Sequence, residues 1–157
     1  NSCYNEIMLS KEFKHIMQTD TVATAKSLLG MQLCLDGQVL GRIVETEAYL
    51  GAKDSACHSA HGKRTPKNES MYQIYGHQIL NLVTRAENVA EAVLIRALEL
   101  PDGTLLANGP GKLTKFAGIT KEFDGQGLTT SRLQLVGNAV PFQIGSRSRI
   151  GVTCTDE

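Results

Sequence analysis

The stretch from Gly41 to His58, which reads GRIVETEAYLGAKDSACH, constrains this chain more than any other. Its first half indicates a β-strand, because Ile43 and Val44 are β-branched and the turn dipeptide Asp36-Gly37 lies just before it. Alternation along a strand predicts one shared face for four residues: Ile43, Glu45, Glu47 and Tyr49. Two carboxylates and a tyrosine on one face indicate either a polar cleft or an edge strand whose acidic face lies in water.

The length of 157 residues is sufficient for one domain with a substantial core. We therefore expect residues 1–157 to form a single domain, in which residues 1–18 lack clean periodicity and are a surface lead-in. The composition, 41% hydrophobic and 20% charged, is ordinary for a globular protein. Since no run approaches the roughly twenty apolar residues of a membrane span, we expect no membrane partner.

Charge and cysteine content bear on the class of partner. The 16 basic and 16 acidic residues cancel, which argues mildly against a nucleic-acid binder, although a local basic patch would suffice for binding. The four cysteines form no CxxC pair, so we expect free thiols in a reducing, intracellular compartment; they are Cys3, Cys34, Cys57 and Cys154. Cys57, His58 and His61 lack a second ligand cluster, and we expect no zinc site.

Local signals predict a mixed α/β (α+β) domain. Asp20 is suited to cap a helix over Thr21–Leu29 that ends at Gly30, and a second short helix is expected from Leu113. The remaining elements are predicted strands: a hairpin of Met31–Leu35 and Gln38–Tyr49, then Ile74–Val83, Ala92–Leu98, Leu133–Val136, Val140–Ile144 and Ile150–Thr153.

Two of these strands carry a polar residue among apolar neighbours. Asn81 would point inward, where it needs hydrogen-bond partners or a cavity. Arg96 shares a predicted face with Leu94 and Leu98, and a guanidinium there requires a carboxylate or a ligand. Pairing with Glu45 or Glu47 is the simplest structural explanation for the arginine.

Positive charge is densest in the predicted loop Gly51–Ser70, which is either a solvated loop or a phosphate-contacting patch. The glycine-rich turn Asn108–Lys112, NGPGK, could hold an anion on its backbone amides. Its spacing does not fit a P-loop.

In combination, these motifs resemble the alkyladenine (3-methyladenine) DNA glycosylase family. The matching segments follow the family's order: GRIVETEAYLG at Gly41–Gly51, RTPKN at Arg64–Asn68, IYG at Ile74–Gly76, AVLIRALE at Ala92–Glu99, NGPGKLTK at Asn108–Lys115 and RIG at Arg149–Gly151. The resemblance implies a single domain with a curved, mainly antiparallel sheet flanked by short helices.

The resemblance implies a monofunctional enzyme that flips damaged purines out of double-stranded DNA and hydrolyses the N-glycosidic bond, initiating base excision repair. The implied lesions are of the 3-methyladenine, 7-methylguanine, hypoxanthine and ethenoadenine class. No cofactor or metal is implied. We expect a monomer, located in the nucleus of a eukaryote or in the cytoplasm (nucleoid) of a bacterium.

The resemblance also implies residue roles. Glu47 would be the general base, and Arg96 would hold the attacking water or the nearby phosphate, with Glu45 structural. The base pocket would be lined by Tyr49, His58, Tyr72 and Asn81, the last as a steric gate against the amino group of guanine. Tyr75 would fill the gap left in the duplex. Candidate phosphate contacts are Lys63, Arg64, Lys67 and Lys112.

Two other functions fit the same residues. One is a DNA-binding module of this fold that has lost catalysis, although the presence of Glu47 argues against it. The other is a small-molecule nucleoside hydrolase that uses Glu47 and His58 as an acid/base pair.

Overall fold

A single curled sheet organises the protein, seen in a computed structural model that describes residues 11–57, 60–66, 80–106, 109–127, 131–137 and 143–149. Six strands lie within these ranges: β1 (Gln32–Leu35), β2 (Gln38–Tyr49), β3 (Asn81–Thr84), β4 (Glu91–Glu99), β5 (Leu105–Leu106) and β6 (Leu133–Val136). Three α-helices accompany them: α1 (Lys11–Thr19), α2 (Thr21–Leu28) and α3 (Pro110–Ala117). None of the helices in this part of the chain is long and apolar enough to cross a membrane.

The strand order is β3-β4-β2-β1-β6, with β5 paired to β4, and each of these pairings is antiparallel. The prediction of a mixed α/β domain with an antiparallel sheet and short flanking helices is confirmed.

The predicted hairpin is present as β1 and β2. Its turn residues Asp36 and Gly37 have φ of 50° and 76°, and two positive φ values are what a two-residue type I′ turn requires.

The predicted first helix is present as α2. The Asp20 carboxylate accepts a 2.9 Å hydrogen bond from the backbone N–H of Ala23, which satisfies one of the unpaired donors at the helix start. Gly30 follows the helix with φ of 89°, a conformation that glycine adopts without a steric penalty.

The prediction that residues 1–18 form a surface lead-in is wrong for residues 11–18. These residues belong to α1, and Phe13 and Met17 lie buried in the main core, 7% and 3% exposed. The two side chains are four residues apart and therefore share one helix face. A nine-residue helix offers too few apolar positions for its period to stand out. Residues 1–10 lie outside the described ranges.

The pairing between β2 and β4 shifts register on both sides of Glu45, so that Val44 and Arg96 have no directly opposed residue. Ile43 and Leu98, which are paired just before the shift, are fully buried in the main core. Unpaired residues in a ladder interrupt the alternation of side chains. The predictions that Ile43 shares a face with Glu45, and Leu98 with Arg96, are therefore wrong.

The C-terminal part follows the predictions in part. β6 is present as predicted, whereas α3 begins at Pro110 rather than at Leu113, because proline is well suited to the first turn of a helix. Residues 143 and 144 are not in a strand; the rest of Val140–Ile144, and all of Ile150–Thr153, lie outside the described ranges. Cys34 is disulfide-bonded, which corrects the expectation of a free thiol there, while Cys57 is a buried cysteine outside any disulfide.

Candidate active site

The strand register brings predicted site residues together on one face of the sheet. Glu47 on β2 is paired with Leu94 on β4, and Leu94 is paired in turn with Asn81 on β3. Directly paired residues project from the same face, so these three form a row across the strands. Glu47 and Asn81 are two strand spacings apart, about 10 Å. Tyr49 lies two residues further along β2 and shares this face.

The opposite face of β2 packs against the helices. The Thr46 hydroxyl donates a 3.0 Å hydrogen bond to the carbonyl of Ala25 in α2, and Ala48 packs on the main core. β1 pairs with residues 38–42 of β2, and β4 pairs with residues 42–49. Glu47 is 8% exposed, so the alternative in which the acidic face of the strand lies in water is wrong for Glu47.

Both oxygens of the Glu47 carboxylate are held by neighbouring side chains. Arg96 Nη1 donates a 2.7 Å hydrogen bond to Oε1, and the Tyr49 hydroxyl donates a 2.8 Å hydrogen bond to Oε2. A buried carboxylate is costly unless it is paired and hydrogen-bonded, and this one is both. The structural pairing expected for Arg96 is therefore present, and its partner is Glu47.

Tyr49 is a neutral hydrogen-bond donor. Burial and the hydrogen bond to Glu47 raise the pKa of Tyr49 to about 12, because an anion beside a carboxylate is unfavourable. One face of its ring is covered by the guanidinium of Arg149, whose Cζ lies 4.8 Å from the ring centroid. This geometry is a cation–π contact.

Arg149 is anchored by Asp54 in the loop that follows β2. Its Nη1 and Nη2 donate to the two carboxylate oxygens at 2.7 Å each, a bidentate pair. The backbone amides of Leu50 and Ala56 also donate to this carboxylate, each at 3.1 Å. Burial alone would raise the pKa of Asp54, but the hydrogen bonds from Arg149 and the two amides lower it overall. The hydrogen bond to Asp54 also favours the charged form of Arg149, and it therefore raises the pKa of Arg149.

A third ion pair completes the cluster. Arg147 Nη2 donates to Glu45 Oε1 at 2.8 Å, and the same oxygen lies 3.7 Å from Arg96 Nε. Arg96 Nε is buried and has no hydrogen-bond partner among the described atoms. Three carboxylates and three guanidinium groups therefore share this face, so that its charges balance.

The other predicted site residues are exposed or lie outside the described ranges. Lys63 and Arg64 are exposed in the loop after β2, and Arg64 Nη1 lies 3.3 Å from Asn88 Oδ1. Lys112 is exposed on the first turn of α3. The residues outside the described ranges are His58, Lys67, Tyr72 and Tyr75.

No group of three or more His, Cys, Asp or Glu side chains is arranged to hold a metal ion in the described part of the chain. His58 is outside that part, so the prediction that Cys57, His58 and His61 bind no zinc stays a prediction.

Sequence reasoning missed Asp54 and Arg147, and assigned no role to Arg149. The two arginines are separated by one residue in a segment without helix or strand, residues 143–149. Strand alternation, which places residues i and i+2 on one side, does not hold in such a segment, so no local signal indicated these arginines. The partner carboxylates are 95 and 102 positions away, a distance over which spacing carries no information.

Comparison with known proteins establishes the class to which this chain belongs, that of the DNA glycosylases. The pattern of the methylpurine-DNA glycosylase family matches residues 15–157, and the chain belongs to this family. Three bacterial relatives bear the name "Putative 3-methyladenine DNA glycosylase". The protein of Staphylococcus saprophyticus is 39% identical, with 87% of this chain and 80% of the relative covered. The protein of Bacillus subtilis is 38% identical, with 89% of this chain and 84% of the relative covered. The protein of Borreliella burgdorferi is also 38% identical, with 90% of this chain and 83% of the relative covered.

Proposed function

We propose that this protein acts as a monomer that excises damaged purines from double-stranded DNA by hydrolysis of the N-glycosidic bond, and so initiates base excision repair. The substrate named for its relatives, 3-methyladenine, is the first candidate. The proposal extends to 7-methylguanine, hypoxanthine and ethenoadenine. The observation that carries it is the buried Glu47 carboxylate, held by Arg96 and Tyr49 beside a half-buried aromatic ring.

Glu47 is proposed as the general base. Each carboxylate oxygen has two lone pairs, and each accepts one hydrogen bond from Arg96 or Tyr49, so each keeps one acceptor site for a water molecule. The water oxygen forms a bond to C1′ of the flipped nucleotide while Glu47 takes its proton. The C1′–N bond breaks, and its electron pair leaves with the purine. An alkylated purine that carries a positive charge departs as a neutral molecule. An uncharged purine such as hypoxanthine departs as an anion, which becomes neutral by taking up the proton that Glu47 accepted from the water.

The cluster is suited to hydrolysis that leaves an abasic site. Its charged groups are carboxylates and guanidinium groups, and a guanidinium stays protonated, so it does not supply an amine nucleophile for strand cleavage. Arg96 places a positive charge beside Glu47, where it can hold the water or a phosphate.

The face that Tyr49 shares with Asn81 is proposed as the base pocket, with His58 and Tyr72 completing it. A tyrosine ring stacks well on an electron-poor purine. Asn81, about 10 Å across the sheet from Glu47, would clash with the amino group of a guanine and so disfavour bases that carry this group.

Contacts to the duplex are proposed for residues around the base pocket. Tyr75 would fill the space left by the flipped nucleotide, as apolar and aromatic wedges do in other minor-groove proteins. The basic residues that would bind phosphates are Lys63, Arg64, Lys67 and Lys112.

The test is single-turnover base release from a duplex that carries one hypoxanthine or one ethenoadenine, with the parent protein and the Glu47→Gln variant. Loss of the general base should slow release by about 10²-fold or more. Glu99→Gln is the matched control, since Glu99 lies on the same sheet but pairs with the exposed Arg42; it should release the base at the parent rate.

Other outcomes separate the alternatives. Tight lesion binding by the parent without release would contradict catalysis and indicate a binding module. Turnover of a free nucleoside with indifference to DNA would indicate a small-molecule hydrolase. Equal release by the parent and Glu47→Gln would leave a glycosylase in which Glu47 is not the base.

A further inference from the structure

We propose that Arg149 and Asp54 form a positioning unit that holds the Tyr49 ring, and through it the Glu47 carboxylate, in the orientation that base excision requires. This inference rests on the proposed function. Neither residue would touch the reacting atoms, so both are positioning residues rather than catalytic ones.

The first step of the argument is the rigidity of Asp54. Four donors converge on its carboxylate: two guanidinium nitrogens of Arg149 and the amides of Leu50 and Ala56. Its side chain is 7% exposed. A buried carboxylate with this many hydrogen bonds has little freedom to rotate, so the loop after β2 provides a fixed anchor for Arg149.

The second step is the position of Arg149 between this anchor and β2. Its Nη1 also lies 3.4 Å from the carbonyl oxygen of Ala48, the residue before Tyr49. A planar guanidinium held at both nitrogens by one carboxylate has a defined plane, and here that group lies over the Tyr49 ring. Arg149 therefore covers one face of the Tyr49 ring, and the ring also packs against the buried residues Cys57, Ala90 and Ala92.

The third step is the link from the ring to the carboxylate. The Tyr49 hydroxyl donates the 2.8 Å hydrogen bond to Glu47 Oε2. If Arg149 did not support the Tyr49 ring, rotation of the ring would break this bond. The same rotation would displace the ring surface on which the base is proposed to stack. Small displacements of positioned groups lower the rates of enzyme reactions strongly, even when the altered residue is remote from the reacting atoms.

The test uses Arg149→Gln, Arg149→Lys and Asp54→Asn. The molecule offers a matched control, because Arg132 and Asp36 form a second bidentate pair, with two distances of 2.6 Å, on the exposed side of the β1–β2 turn. Arg132→Gln breaks the same kind of pair away from the site. It should release hypoxanthine from duplex DNA at the parent rate.

Three readouts are measured for each variant: the single-turnover rate at saturating protein, the affinity for lesion-containing duplex, and the near-ultraviolet circular dichroism. The last reports on tyrosine without a contribution from tryptophan, because the chain has four tyrosines and no tryptophan. The chain's phenylalanines and the disulfide of Cys34 are unchanged in every variant, so differences between variants report on tyrosine. Tyr49→Phe identifies the part of the signal that arises from Tyr49.

Arg149→Gln and Asp54→Asn should lower the rate by about 10- to 100-fold. Their affinity should change by no more than about threefold, since the loss is in the reacting geometry. Both should lose the Tyr49 part of the tyrosine signal. Arg149→Lys keeps the charge without the bidentate geometry, and its rate should be close to that of Arg149→Gln.

A folded Arg149→Gln variant with the parent rate, or with an intact Tyr49 signal, would overturn the proposal. So would a loss of affinity at an unchanged rate, which would make Arg149 a DNA contact. If Arg149→Gln fails to fold, Arg149→Lys and Asp54→Asn are judged by the same criteria. If the parent itself releases no base, the proposed function fails, and the Tyr49 signal alone decides whether Arg149 positions the ring.

Discussion

Arg96 on β4 donates a 2.7 Å hydrogen bond to Glu47 on β2, and the two residues are only 9% and 8% exposed. The pair lies where the two strands shift register, since Arg96 is a residue that the ladder leaves without an opposed partner. Arg96 lies two residues from Leu94, which is paired with Glu47, so alternation along β4 puts the guanidinium on the face that carries the buried carboxylate. The irregularity after Arg96 instead turns Leu98 into the core.

The Arg96→Gln substitution should destabilise the protein by about 3–5 kcal/mol, because it leaves the buried Glu47 carboxylate without its compensating charge. Urea unfolding of the variant and the parent measures the difference. Arg42→Gln is the control, since its partner Glu99 is partly exposed and such pairs contribute at most about 1 kcal/mol. Equal losses for the two variants would show that burial does not set the strength of the Arg96–Glu47 pair.

Tyr49 should make stability fall at alkaline pH. Its pKa is raised to about 12 in the folded protein, from an ordinary value of 10.0, so the unfolded chain loses this proton first as pH rises. The contribution is complete below pH 10 and is lost between pH 10 and about 12. The measurement is the unfolding free energy of the parent and Tyr49→Phe across this window. Because lysines titrate in both proteins, the difference between the two is the quantity of interest, and a constant difference would contradict the prediction.

Asp54 should make stability fall at acid pH. Its pKa is lowered in the folded protein relative to the ordinary value of 3.8, so the unfolded chain binds the proton more tightly. The contribution is present above pH 3.8 and is lost as pH falls through the lower, folded-state pKa. The difference in unfolding free energy between the parent and Asp54→Asn should therefore shrink as the pH is lowered below 3.8. A difference that stays constant as the pH falls would contradict the prediction.

Asn81→Ala should widen the choice of purines, since it removes the side chain proposed to meet the amino group of guanine. The variant should release 7-methylguanine faster, relative to hypoxanthine, than the parent does. Competition between the two lesions in one reaction measures this ratio directly. Leu82→Ala provides the contrast, because the neighbouring Leu82 packs in the main core and its loss affects stability rather than choice of base. An unchanged ratio in Asn81→Ala would remove Asn81 from the pocket.

Local signals in the sequence predicted much of the framework. The Asp36-Gly37 turn, the Asp20 cap and the strand at Gln38–Tyr49 each depend on the backbone preferences of a few adjacent residues, and each is present in the structure. The unusual polarity of Glu47 and Tyr49 could likewise be read from their positions in one strand.

The parts that could not be predicted depend on contacts between distant segments. The short helix α1 is stabilised by burying Phe13 and Met17 in a core that other elements build. Its own sequence is too brief to reveal it, because most of the stability of a short helix comes from tertiary packing.

By itself, the sequence determined the hairpin, the capped helix, the polar face of β2 and the family, because these depend on residues that are neighbours in the chain. Only the tertiary structure decided that Ile43 turns into the core while Glu45 does not, and that Arg149 reaches Asp54 across 95 positions. The physical reason is that strand register and long-range ion pairs are set by how the whole core packs. Alternation within one strand specifies which side chains share a face only as long as the ladder is regular.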